Sequence, residues 1–471
     1  MKNGPLVRPY RSLTVGMVTL VSVVAFEAVA VTTAMPTVAR ALHGLPLYAL
    51  AFGGALAAGV VGMVISGGWS DAKGPAAPVW TGVATFVAGL VICGTAPTMA
   101  TLVVGRVIQG FGGGLVAVAL YVVVGRAYPP DLHPRVFSAF AGAWVVPSVA
   151  GPSLAGLIVE QVGWRWVFLG TVLLTVPAVL LVRPGLRAMA DPGTTADPRP
   201  SSRPAGAAGH VGRAGWALGA AVSMGLLHLG GQQRGVGAIG LIGLALAGLA
   251  AFTPRLLPRG TFSARPGLPS VVLLRGLAGA AFIQADVFLP LMLSRERGFS
   301  PWAAGLTLTI GGVSWFAGSW YQGRRGQRLA VHPLRVGLTL IATGVATAAA
   351  CVVPAVPVWL CVAGWALAGF GMGLSYPTMS GLTLSLSAPA EQGVNSSALQ
   401  LSDSLFSTTI LAVGGTLFAF WVSTSPPAAY LSGFLIAEAL ALLGVLVAAR
   451  VGVPSTGTPT AAAVPELAAQ R

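Results

Sequence analysis

The chain has 471 residues, 55% hydrophobic and only 8% charged, with 64 Gly, 34 Pro and a formal net charge of +15. That balance excludes a soluble globular domain and leaves room for many membrane spans of about 20 residues each. The positive charge is read as loop topology plus affinity for anionic lipid headgroups, with no nucleic-acid partner.

Apolar runs bounded by charge, Pro and Gly predict helices over 13–38, 46–67, 77–95, 98–125, 135–160 and 164–183. The first is read as a retained span rather than a cleaved signal, because its apolar segment is too long for a signal core and contains Glu27. A polar stretch, 184–213, centred on the run from Asp191 to Pro200, reads as a cytoplasmic linker. Further helices are expected over 214–231, 235–253, 269–293, 301–322, 333–353, 356–386, 393–421 and 427–450. The expected architecture is therefore an all-α membrane protein with 14 transmembrane helices, grouped six, two, six. A 12-helix count is the alternative, since the pair after the linker is short and Gly-rich. The corresponding domains are an N-terminal bundle (1–183), the linker (184–213), an additional helix pair (214–253), a C-terminal bundle (254–450) and a disordered cytoplasmic tail (451–471).

Charge placement tests this map separately, because Lys and Arg collect in cytoplasmic loops. With both termini inside, 20 basic residues fall on the inner side and five (Arg40, Arg165, Arg234, Arg295, Arg297) on the outer. Arg106 and Arg275 remain within the membrane. The cysteines, Cys93, Cys351 and Cys361, fall near outer helix ends; a disulfide between the last two is open to the chain, but apolar packing is the expectation. No metal-ligand spacing is present, and no cofactor is expected.

Two segments recur in the two six-helix blocks. Gly110 to Leu115 (GFGGGL), in the fourth helix, returns as Gly369 to Leu374 (GFGMGL) in the twelfth, and Gly67 to Lys73 (GGWSDAK) returns as Gly318 to Arg324 (GSWYQGR). The offsets, 259 and 251 residues, agree within a small gap. The halves read as parallel repeats, an arrangement that places a binding site between them and moves by rocking one against the other.

With Gly67, Asp71 and Gly74 after the second helix, Arg106, Gln109 and Gly110 in the fourth, and Gly151, Pro152 and Gly156 in the fifth, the chain resembles the major facilitator superfamily. Within it, the sequence is similar to the fourteen-helix drug/proton antiporters. The likeness extends to Trp164 to Phe168 and to Gly298 to Gly305. It departs from the pattern where Ala72, Pro75 and Ala76 replace the basic residues that usually follow the loop aspartate, where Glu27 stands at a position often Asp, and where Pro147 replaces a motif glycine.

Arg106 is the one charge in the apolar run from Leu102 to Val124, and a guanidinium does not shed its proton there, so it must face water or a carboxylate. At 1.5 Å per residue, Glu27 lies roughly 16 Å and Arg106 roughly 11 Å below the outer helix ends, a gap about one arginine side chain long. The resemblance implies that both helices line one cavity. A Glu27 to Arg106 pair is therefore expected, with proton uptake at Glu27 releasing Arg106. A buried carboxylate is easier to protonate than one in water, so Asp286 and Asp403 are further candidates for proton or cation binding. Arg275 shares a helical face with Asp286 at a different depth and has Asp403 as its alternative partner. Glu438 lies in the last helix, which the family places at the periphery.

At the inner face, Asp71, with Gly67 and Gly74, is expected to gate by capping a neighbouring helix, with Arg126 as its partner. Gln109, Gly110, Gly151 and Pro152 are expected to serve packing and bending. Trp144, Phe282, Trp315 and Tyr376 suit contact with an amphipathic substrate.

The expected function is proton-coupled export of hydrophobic or amphipathic small molecules by alternating access. A lipid or metabolite carrier on the same fold is the alternative. No nucleotide-binding Gly-x-x-x-x-Gly-Lys-Ser/Thr loop supports ATP use, and no Asp-Asp-x-x-Asp cluster supports an intramembrane transferase, so no enzymatic activity is expected. The expected partners are the small-molecule substrate, protons and membrane lipids, acting on a monomer in the cell membrane.

Overall fold

The computed structural model describes residues 4–7, 10–44, 47–190, 207–231, 233, 236–325 and 331–451. These form α1 (Arg11–Ala41), α2 (Tyr48–Lys73), α3 (Ala76–Gly94), α4 (Met99–Ala127), α5 (His133–Gly142), α6 (Val145–Gln161), α7 (Arg165–Ala190), α8 (Ala207–Gly230) and α9 (Val236–Leu256). The second half continues with α10 (Leu268–Glu296), α11 (Pro301–Arg325), α12 (Val331–Ala350), α13 (Val358–Ser385), α14 (Gln392–Trp421) and α15 (Pro426–Ala448). No strand occurs among the described residues.

Twelve spans among the described residues are long and apolar enough to cross a membrane, α5 and α6 counting together as one. Twelve matches the alternative count rather than fourteen. The helices outside the twelve are α8, which contains Arg213 and His228 among small residues, and α11, rich in Gly, Ser and Thr and ending in Arg324 and Arg325; such compositions lower the mean hydropathy.

Two expected boundaries shift. The stretch 184–213 is not wholly linker: α7 runs on through Pro184 to Ala190 and α8 starts at Ala207. Residues 191–206, like the tail 452–471, lie outside the described residues. The fifth span is not continuous either, since α5 ends at Gly142 and α6 begins at Val145. Pro147 has no N–H to offer the Ala143 carbonyl, which instead accepts a hydrogen bond of 3.0 Å from Ser22 Oγ of α1. The break thus comes with a tie to the first helix.

The duplication is carried by glycine contacts. In α4, Gly110 and Gly114 lie on the backbones of Ala55 and Gly59 of α2; in α13, Gly369 and Gly373 lie on the backbones of Gly311 and Trp315 of α11. At each of the four, an added Cβ would overlap a carbonyl oxygen of the facing helix. Both halves therefore use the same small-residue crossing, which substitutes for a hydrophobic driving force that lipid does not supply. Gly373→Val is expected to lower the melting temperature in detergent, since forced overpacking costs about 1–3 kcal/mol. Gly312→Ala, with open space at its Cβ, should melt like the parent chain.

Each half has its own core. That of the second contains the fully buried Trp365, Tyr430 and Phe434. The α8–α9 pair packs on both halves at once, in a cluster that joins Met224 and Leu249 to Val60 and Val64 of α2 and to Ala398, Leu401 and Leu405 of α14. Cys93, Cys351 and Cys361 are buried free thiols, as apolar packing predicts.

Candidate functional site

Two ion pairs, a buried one in the first half and a partly exposed one in the second, are the salt bridges among the described residues. In the first half, Arg106 of α4 donates from Nη1 to Glu27 Oε1 of α1 at 2.5 Å and from Nε to the Ala51 carbonyl of α2 at 3.3 Å. Its Nη1 also donates to Gln109 Oε1, one turn along the same helix. Glu27 is 4% exposed and Arg106 8%, so the pair is enclosed by three helices. The side chains meet as the depth arithmetic expects.

In the second half, Arg275 of α10 donates from Nε to Asp403 Oδ2 of α14 at 3.0 Å, and Tyr376 of α13 donates its hydroxyl to Asp403 Oδ1 at 2.9 Å. The guanidinium also lies over the Tyr376 ring, 3.6 Å from its centroid, a cation–π contact within the same network. Arg275 is 5% exposed, whereas the Asp403 side chain keeps 25% of its surface. Of the two acids considered for Arg275, the structure selects Asp403. Asp286 is half-buried and makes no hydrogen bond or ion pair among the described residues.

Three of the four aromatic candidates come together. Phe282 meets Trp315 edge-on at 5.3 Å, and Trp315 meets Tyr376 at 5.1 Å. Trp365, the residue that stands in the repeat where Arg106 stands in the first half, stacks on Phe282 at 4.7 Å. Trp144 does not join them: it sits at the break between α5 and α6, 45% exposed. Gly151 and Pro152 lie beyond the break, Gly151 against Val29 and Phe26 of α1.

The halves meet at the end of the molecule that carries Asp71. This carboxylate accepts from the backbone N–H groups of Gly393 at 2.6 Å and Val394 at 2.8 Å, the first turn of α14. An anion on the unpaired N–H groups of a helix start satisfies both the hydrogen bonds and the helix dipole. Close approach makes this reach available. A Cβ on Gly67 would lie 2.7 Å from the Gly393 carbonyl oxygen. Gly74, at φ +82°, ends α2 in a conformation suited to glycine. Arg126, the expected partner, makes no direct salt bridge with Asp71: its Nη2 donates to the Ser70 carbonyl at 2.9 Å, and from there its charge acts on the carboxylate. Each carboxylate oxygen takes one N–H of the helix start.

Three participants had no place in the sequence reading. Gln400 accepts from Arg275 at 3.4 Å. Ser380 accepts from Arg275 and donates to Tyr121 of α4, each at 3.5 Å, linking the halves through the second ion pair. A tyrosine in the otherwise apolar run of α4 was the available signal for Tyr121.

Comparison with known proteins bears on the fold and its family. A family model described as Major Facilitator Superfamily matches residues 17–407. A probable multidrug-efflux transporter of Mycobacterium tuberculosis is 28% identical over 335 residues, 68% of this chain and 69% of that protein. MFS transporter L2 of a Phoma species is 33% identical over 166 residues, 33% of this chain; the match spans only 28% of the Phoma protein's length. Among solved structures, a bacterial homologue of the iron transporter ferroportin in an outward-facing state superposes with a TM-score of 0.67 at 16% identity, covering 93% of this chain and 98% of that one. No group of three or more potential metal ligands occurs among the described residues.

Proposed function

The chain belongs to the Major Facilitator Superfamily, and on that premise we propose that it is a proton-coupled exporter of hydrophobic or amphipathic small molecules, of the drug/proton antiporter type. Its place is the cell membrane, with both termini cytoplasmic. The observation that carries this reading is the enclosed Glu27–Arg106 pair. In this reading the pair is the coupling element, because a proton delivered to Glu27 removes the only ionic partner that a permanent cation has among the described residues. Proton uptake at Glu27 cancels its charge and leaves Arg106 to Gln109 and the Ala51 carbonyl, which loosens α1 from α4.

The halves then rock. With Asp71 on the start of α14 the inner side is closed, and the outward side receives protons and releases substrate. Breaking that cap opens the inner side for substrate entry. The facing aromatic group of Phe282, Trp315 and Tyr376 supplies stacking surface, and Asp286 supplies a carboxylate for a cationic substrate. Asp403 and Arg275 form a second charge pair whose link to Tyr121 ties substrate contacts to the opposite half.

Efflux from cells tests the function itself. Cells that express the chain, loaded with a fluorescent lipophilic compound, are expected to retain less of it than controls, and a protonophore should erase the difference. Export that persists with the proton gradient collapsed would rule the reading out. In the same assay Asp403→Asn, which removes the charge facing Arg275, is expected to reduce export more than Tyr376→Phe. The latter loses one hydrogen bond to a carboxylate, about 1.5–3 kcal/mol and roughly 10- to 150-fold at most, while Arg275 keeps its counter-charge.

A further inference from the structure

The α8–α9 pair has a built feature outside the transport path. Between the two helices runs an apolar groove of about 480 Å³, lined by Leu218, Val222 and Leu226 of α8 and by Leu244, Gly248 and Phe252 of α9. Its walls face outward: Leu218 is 58%, Val222 55% and Leu244 61% exposed. Phe252 continues the groove to Trp216, whose ring centroid lies 5.9 Å from its own, and Trp216 carries the Arg255 guanidinium 4.7 Å from its centroid. Beside them the Arg213 Nη2 donates to the Leu256 carbonyl at 3.1 Å. One mouth of the groove is thus basic and aromatic, and the rest is hydrocarbon.

The charge at this mouth has no counterweight on α8 or α9 themselves; the acid that acts on Arg213 is Asp71, at the end of α2, and Arg255 lies over Trp216. The sequence contains no Asp or Glu between Asp197 and Asp286, while Arg213, Arg255, Arg259 and Arg265 all fall within that interval. Neither Arg213 nor Arg255 is in a salt bridge among the described residues. An occupant that matches both parts must have a long apolar chain and an anionic group at one end. Tryptophan and arginine at the end of a membrane helix also set the depth at which a headgroup sits.

We propose that the α8–α9 groove binds one anionic phospholipid, with an acyl chain along Val222 and Leu244 and the phosphate at Arg213 and Arg255. The position gives the lipid a consequence. The pair packs on α2 and α14 together, and Arg213 lies within electrostatic reach of Asp71, the residue that joins those two helices. The groove lies on the outer side of a pair whose inner side packs on both halves, so the lipid sits beside the seam across which they move.

The test is lipid retention by the purified full chain, measured by native mass spectrometry after incubation with an equal mixture of phosphatidylglycerol and phosphatidylcholine. The expected result is selective retention of phosphatidylglycerol. The double variant Arg213→Gln/Arg255→Gln should lose roughly tenfold or more of it, as removal of two basic contacts predicts. Val222→Trp, on the exposed wall, should fill the groove and displace the same lipid without altering the melting temperature. It decides the matter if the arginine variant does not fold. Equal retention of the two lipids by the parent chain, or undiminished phosphatidylglycerol on the Val222→Trp protein, would overturn the proposal. None of these readouts depends on transport.

Discussion

Arg106→Ala is expected to abolish proton-driven export and to weaken the first bundle, whereas Glu27→Gln should spare the fold and lose the coupling. The asymmetry follows from which partner remains. Without Arg106, a carboxylate that is 4% exposed stays among α1, α2 and α4 with no cation, and breaking a buried pair in this way costs about 3–5 kcal/mol. With glutamine at position 27, Arg106 keeps an amide oxygen in hydrogen-bonding reach together with Gln109 and the Ala51 carbonyl. The guanidinium stays solvated by the protein, but nothing there takes up a proton. Thermal melts in detergent should therefore separate the two variants, and proton-driven uptake into inverted vesicles should fail in both. Glu27→Gln with unchanged coupling would remove Glu27 from the mechanism and leave the pair as a static lock.

Asp71→Asn is expected to shift the population of conformers away from the state in which α2 and α14 are joined. Asparagine keeps one acceptor oxygen but loses the charge that faces two N–H groups at the start of α14. Charge-assisted hydrogen bonds contribute about 1.5–3 kcal/mol, so a two-state equilibrium should move roughly 10- to 150-fold. Gly67→Val should act in the same direction by sterics, because the glycine backbone lies against the Gly393 carbonyl. Distance measurements between spin labels on the Asp71 ends of α2 and α14 would read the shift. Unchanged distances in both variants would mean that this contact does not hold the gate.

Much of this site was legible because membrane charges are few. With 12 acidic residues in the whole chain, burial depth and helix adjacency left few choices: they lead to Glu27–Arg106, and they leave Arg275 with two acids, of which Asp403 is the one it meets. The repeat was legible for a related reason. Glycines at fixed offsets mark places where two backbones touch, and Gly110 and Gly369 do touch corresponding helices. What the sequence concealed was non-local. Asp71 has its ligands some 320 residues away, on backbone N–H groups that have no residue-type signature, so a nearby arginine drew the assignment instead. The break between α5 and α6 was likewise concealed, and it leaves Trp144 at an interruption, apart from the Phe282–Trp315–Tyr376 contacts. Helix count was ambiguous for a physical reason too: α8 and α11 contain enough Gly and polar surface to look unlike lipid-facing spans while packing tightly on their neighbours.

Duplication also explains how the two halves differ. The offset that aligns the glycines places Trp365 at the Arg106 position, and there an aromatic stack on Phe282 occupies the place of an ion pair. One half thus holds its ionisable pair between α1 and α4, while the other holds an aromatic stack at the Arg106 position and its ion pair between α10 and α14.

Substrate-dependent proton movement in proteoliposomes under an imposed pH gradient is the most direct measurement. The reconstituted chain is expected to move protons when an amphipathic compound is added, and the Glu27→Gln chain to bind that compound without moving them. Proton movement by Glu27→Gln equal to the parent's, or none by the parent across a broad panel of compounds, would contradict coupling through the Glu27–Arg106 pair.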